Sequence, residues 1–121
     1  MKVFVIEDAA EVRKRLVAML RAIAGVVIVG EASSVQAGID GALSTQPDVL
    51  LLDIQLEDGS GLDVLKAVKP RCDGLRVIVL TNFASAQYRQ ASLAAGADAF
   101  LDKSEEFGRV PEILRGWLLP P

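Results

Sequence analysis

The segment VLLLDIQLEDGSGL, Val49–Leu62, drives four apolar residues into an aspartate, Asp53, and then into a glycine-rich turn. A short run that is apolar throughout, instead of alternating, reads as a strand buried on both faces. A lone carboxylate at the end of such a strand is costly to bury, so Asp53 marks a point where other polar groups must gather. The same kind of run recurs outward in both directions: VFVI at Val3–Ile6, VVIV at Val26–Val29, VIVL at Val77–Leu80 and AFL at Ala99–Leu101. Five such strands predict a parallel sheet covered by helices.

The intervening segments carry the helical period. Val12, Leu16, Met19, Leu20 and Ile23 share one stripe, Leu62, Leu65 and Val68 a second, and Phe107, Val110, Leu114, Trp117 and Leu118 a third. The alanine-rich stretches Ser34–Leu43 and Ala84–Ala95 complete five helices, with Gly96 in a C-cap position and Pro70 ending the middle helix. Asp8 with Glu11, and Ser60 with Asp63, fit the capping pattern at helix starts. Right-handed crossovers then give a doubly wound α/β domain with its site at the carboxyl ends of the strands.

Composition narrows the function. The chain has 121 residues, long enough for one domain with a real core, and is 51% hydrophobic and 24% charged. A net charge of −3 without clustered cations argues against a nucleic-acid surface. The single cysteine, Cys72, points to a reducing cytoplasm, and no apolar run approaches the ~20 residues of a membrane span. Histidine is absent, which excludes Ser-His and Cys-His nucleophile pairs, His-ligated zinc and a phosphohistidine on this chain. The closing LPP reads as either a natural end or the start of a linker.

At the carboxyl edge the strands end in Glu7 and Asp8, Asp53, Thr81, and Asp102 with Lys103; the second strand, ending in Gly30 and Glu31, lies too far out. Three acids that close repel one another unless a cation sits among them. Oxygen ligands without His or Cys suit a hard ion that keeps some of its waters, Mg²⁺ first. Carboxylates, a lysine and a hydroxyl together suit a phosphoryl group: Lys103 and Mg²⁺ neutralise its oxygens, Thr81 hydrogen-bonds one, and Asp53 is the nucleophile. Taken singly, several of these residues have plainer readings. Asp8 and Thr81 fit helix caps, Lys103 a surface lysine, Phe100 a core aromatic, and Glu57, Asp58, Glu105 and Glu106 solvated or helix-start acids.

The ordered set resembles the receiver domain of two-component response regulators over nearly the whole chain, residues 1–121. It comprises an acidic pair after the first strand (Glu7, Asp8), Asp53 after the third, Gly61 eight residues on, Thr81 after the fourth, and FLDK supplying Phe100 and Lys103. The resemblance implies a flavodoxin-like sheet of order 2-1-3-4-5. It also implies Mg²⁺ ligated by Asp8, Asp53 and the main-chain carbonyl of Gln55, with Glu7 acting through water, and Thr81 and Phe100 as a switch pair. The implied function is a cytoplasmic signalling domain, monomer or weak dimer. It would accept a phosphoryl group from a sensor histidine kinase or phosphotransfer protein and act on a downstream protein target through its last two helices.

The chain departs from the family pattern at Glu7 for the commoner aspartate, at Glu57 for proline, and at Asn82 for a smaller residue. Ser104 replaces a proline preceded in the family by a cis peptide, a geometry that costs a non-proline bond ~2.5–4 kcal/mol. Three other functions are compatible with a carboxylate at a strand end. An aspartyl-phosphate hydrolase of the haloacid dehalogenase kind needs an acid two residues beyond its nucleophile, where Gln55 stands. A pseudo-receiver binding module is disfavoured by the intact Asp53, Thr81 and Lys103. A receiver fragment of a larger regulator stays open.

Overall fold

The computed structural model describes residues 1–119; Pro120 and Pro121, the end of the LPP motif, lie outside them. The elements run β1 (Lys2–Ile6), α1 (Ala10–Arg21), β2 (Val27–Ala32), α2 (Val35–Thr45), β3 (Val49–Leu52), β4 (Gln55–Leu56), β5 (Gly59–Ser60), α3 (Gly61–Val68), β6 (Arg76–Thr81), α4 (Ala86–Ala94), β7 (Ala99–Asp102), α5 (Lys103–Glu106) and α6 (Arg109–Leu118). The central sheet is five-stranded and parallel, in the order β2-β1-β3-β6-β7. Since β6 and β7 are its fourth and fifth strands, this is the expected 2-1-3-4-5 topology.

Alternation along the strands builds two cores. Phe4, Ile6, Leu50, Leu52, Val77, Val79 and Phe100 face one side, with α3 supplying Val64, Leu65 and Val68. Val3, Val5, Val49, Leu51, Ile78, Leu80 and Leu101 face the other, against Leu16 and Leu20 of α1 and Val110 and Leu114 of α6. The Phe4 ring lies where side chains of Gly30 and Gly41 would stand; a Cβ built on Gly41 would come within 2.7 Å of Phe4 Cε2. β2 departs from the doubly buried reading: it is an edge strand, and Val27 is 59% exposed.

Register brings the strand ends level. Ile6 pairs with Leu52, Leu52 with Val79, and Thr81 with Asp102. The Asp53 N–H donates to Ile6 O at 3.1 Å, which sets Asp53 abreast of Glu7. The opposite edge is tied off by acids placed just before strands. Asp48 accepts the Lys2 N–H at 2.7 Å, and Asp98 accepts the Val77 N–H at 2.7 Å and Lys69 Nζ at 3.0 Å.

Three features differ from the expectation. The residues after Asp53, read from sequence only as a glycine-rich turn, form a small antiparallel hairpin, β4–β5. The segment after β7 is two helices, so there are six α-helices among the described residues: the Asp102 carboxylate caps α5 by accepting the Ser104 N–H at 2.9 Å, and the chain turns at Phe107 and Gly108 before α6. α1 starts from Ala9 with no side-chain cap, because the Asp8 carboxylate lies with those of Glu7 and Asp53 instead. The Ser60 cap is present, its Oγ accepting the Leu62 N–H at 3.1 Å, and Ser34 and Ser85 likewise cap α2 and α4. Among the described residues no helix is long and apolar enough to cross a membrane.

Candidate functional site

Lys103 organises the carboxyl edge. Arriving from the end of β7, its Nζ donates to Glu7 Oε1 and, at 2.7 Å, to Asp53 Oδ2. All three side chains are almost sealed from solvent, at 9%, 1% and 7% exposure. One oxygen each from Glu7, Asp8 and Asp53 lies within 4.8 Å of the others. The remaining Glu7 oxygen accepts the Ala9 N–H at 3.1 Å, and Asp53 Oδ1 accepts the Gln55 N–H at 3.2 Å. Together with Ala9, Val12, Gln55, Asn82 and Phe83, these residues line an open cleft of about 240 Å³.

Burial raises the Glu7 pKa above the ordinary 4.5; the hydrogen bonds from Lys103 and Ala9 offset this only in part, and the nearby Asp53 charge adds to the rise. For Lys103 burial pushes the other way, but the hydrogen bonds to Asp53 and Glu7 outweigh it, and the pKa rises above 10.5. The ammonium therefore stays charged at neutral pH. Three carboxylates against one ammonium leave two formal negative charges in the cleft. Oxygen donors alone, carrying that surplus, fit a hard divalent cation such as Mg²⁺ and offer nothing to a soft one.

The strand ends also place the other candidates. Thr81 closes β6 and is fully buried; its Oγ1 accepts the Phe83 N–H at 3.1 Å and it does not line the cleft. The hydroxyl caps no helix, since α4 begins five residues later. Phe100 is buried at 3% in the core, with the Arg89 guanidinium 5.2 Å above its ring. Asn82 and the half-exposed Phe83 form the cleft wall beside Asp53. Gly61 holds the loop closed: its N–H donates to Ile54 O, and a Cβ there would overlap the Asp53 carbonyl, so only glycine permits this approach. No peptide bond is cis among the described residues, so Lys103–Ser104 is trans.

Sequence reasoning missed Arg13. Its guanidinium donates to the Glu7 carbonyl at 2.7 Å and pairs with Glu31 at 3.4 Å, which fixes the backbone that carries the acidic pair. Its place one turn into α1 was the only available signal, and that does not distinguish it from a solvated arginine.

Comparison with known proteins gives the same picture. Residues 3–115 match the family described as the response regulator receiver domain. The chain is 34% identical over 102 residues to the DNA-binding transcriptional activator DevR/DosR of Mycobacterium tuberculosis, covering 84% of this chain and 47% of that protein. It is 30% identical over 114 residues to the transcriptional regulatory protein LiaR of Bacillus subtilis, covering 94% and 54%. The chain thus spans about half the length of these curated relatives. Among solved structures, the signal receiver domain of the putative response regulator NarL from M. tuberculosis superposes with a TM-score of 0.87 at 26% identity, over 96% of this chain and 94% of that one. Sequence and fold therefore agree, and the chain belongs to the response regulator receiver domain family.

Proposed function

We propose that this chain, over residues 1–121, is the phosphorylation-switched receiver of a two-component system, with Asp53 as phosphoacceptor. The observation that carries the proposal is the bridging of Glu7 and Asp53 by one buried ammonium, Lys103, beside a third carboxylate at the carboxyl edge. Asp8, Asp53 and the Gln55 carbonyl would hold Mg²⁺, with Glu7 acting on it through water. When bound, the ion supplies positive charge against the oxygens of the incoming phosphoryl group.

The remaining chemistry is the chain's own. A carboxylate oxygen of Asp53 attacks the phosphorus of a phosphohistidine donor; the new O–P bond forms as the P–N bond breaks and the donor imidazole leaves. Lys103 exchanges its hydrogen bond on Asp53 for one on a phosphoryl oxygen, a move of one donor between two acceptors in the same cleft. Thr81 turns its hydroxyl from the Phe83 N–H to another phosphoryl oxygen, and Phe100 reports that movement to the outer face of α4 and α6. Gln55, which cannot serve as a general acid, suits slow loss of the phosphoryl group and a signalling domain more than a turnover enzyme.

The donor is a sensor histidine kinase or phosphotransfer protein in the cytoplasm, and the output is a protein contact made by a monomer or weak dimer. This domain itself binds no nucleic acid; the match to DevR/DosR, named as DNA-binding, covers 47% of that protein. Incubation with acetyl phosphate and Mg²⁺ tests the assignment. One hydroxylamine-labile phosphoryl group is expected on wild type and none on Asp53→Asn, and a stable adduct on serine or threonine overturns it.

A further inference from the structure

The hairpin β4–β5 carries Gln55 and closes on Asp53, yet its own pairing is only Gln55 with Ser60 and Leu56 with Gly59. Its tip, Glu57 to Gly59, is exposed. What fixes the tip lies on another element. Asp58 Oδ1 accepts the N–H of Val35, the first residue of α2, at 2.6 Å. Glu57 Oε1 accepts the Ser33 hydroxyl at 3.3 Å. A Cβ on Gly59 would stand 3.2 Å from Val35 Cγ2, so the Gly59 backbone also packs against the Val35 side chain.

The N-terminal amides of α2 are thus satisfied in two pieces: Ser34 takes Ala37 N from within the helix, and Asp58 takes Val35 N from the hairpin. Asp58 precedes α3 in sequence and reads there as a helix-start acid, but the helix it starts is α2. The charge also suits the positive end of the α2 dipole.

We propose that Asp58 is a positioning residue for the cation site: by locking the hairpin to the start of α2 it holds Gln55 and the Asp53 loop in ligating geometry. The proposal rests on Asp8, Asp53 and Gln55 being the Mg²⁺ ligands. The path is short. From Val35 N–H it runs through Asp58 to the Gln55–Ser60 pair, and from Gln55 N–H to Asp53 Oδ1 at 3.2 Å. Because coupling between two sites is reciprocal, cation binding tightens the hold on the α2 N-terminus by the factor that the hold tightens cation binding. The start of α2 therefore senses occupancy of the site.

The test is a Mg²⁺ titration of the full chain followed by the amide resonances of Asp8 and Gln55, with amide exchange measured on the chelated protein. Asp58→Ala weakens Mg²⁺ binding roughly tenfold, the size of effect seen when supporting partners of metal ligands are removed. It also speeds exchange at Gln55 without affecting the β3 amides. Asp58→Asn, which keeps the accepting oxygen, restores both. Unchanged Mg²⁺ affinity in Asp58→Ala, with only a lower melting temperature, reduces Asp58 to a helix cap and overturns the proposal. A wild type without saturable Mg²⁺ response overturns the ligand assignment itself and this role with it.

Discussion

Neutralising one member of the Glu7, Asp8, Asp53 and Lys103 cluster at a time gives opposite signs for acid and base. In the chelated protein, Asp53→Asn removes the attraction to Lys103 at 2.7 Å, about 6 kcal/mol at an effective dielectric constant of about 20. It also removes repulsion from two carboxylates within 4.8 Å, at least about 3.5 kcal/mol each on the same scale, or about 7 together. These Coulomb terms nearly cancel. The desolvation of a carboxylate only 7% exposed then decides the sign, and neutralisation returns that cost while the amide oxygen still accepts from Lys103. With about 2 kcal/mol gained, and about 4 °C per kcal/mol for a domain of this size, Asp53→Asn melts about 8 °C above wild type. Lys103→Met leaves three buried or half-buried acids without their counter-charge and loses about 3–5 kcal/mol.

Thermal melts by circular dichroism in chelator, then in Mg²⁺, read all three proteins at one mildly alkaline pH. Mg²⁺ at a hundredfold excess over its dissociation constant adds about 2.7 kcal/mol to wild type, less to Asp53→Asn, and rescues part of the Lys103→Met loss. A lower melting temperature for Asp53→Asn in chelator, with wild type indifferent to Mg²⁺, refutes this reasoning. It would make Asp53 and Lys103 a structural ion pair and nothing more.

Glu7→Gln gives a pH test in chelator: because the folded pKa of Glu7 is raised above 4.5, its contribution is fully present below that value and lost as pH rises through the raised one. The difference in melting temperature between Glu7→Gln and wild type therefore moves in favour of the variant from pH 4.5 upward, and a difference that does not vary with pH counts against the burial of Glu7. Gly41→Ala should destabilise despite its better helix propensity of about 1 kcal/mol, because the new Cβ meets the Phe4 ring and overpacking costs about 1–3 kcal/mol; a higher urea midpoint would show that Phe4 can move aside. Ser92, fully buried in α4 with no hydrogen-bond partner for its hydroxyl among the described residues, should gain about 1–2 kcal/mol as Ser92→Ala. A loss in urea denaturation would mean that the hydroxyl is bonded.

Much of this molecule is legible in one dimension because its signals are local. The uniformly apolar runs at Val49–Leu52 and Val77–Leu80 mark central strands, since a covered parallel sheet favours apolar side chains on both of its faces. Residues that end parallel strands share an edge, which is why Glu7, Asp8, Asp53 and Lys103, far apart in the chain, lie together. Interactions between segments distant in the chain were settled only by the fold. Asp8 fits a cap by spacing, but register sets Asp53 beside Glu7 and draws Asp8 toward the shared cleft, leaving α1 uncapped. Asp58 lies two residues before the Ser60 cap of α3, yet its carboxylate serves α2, because the hairpin turns it back across the sheet edge. Even β2, apolar in sequence like its neighbours, is half-exposed for a reason no window of residues contains: it has a strand on one side only.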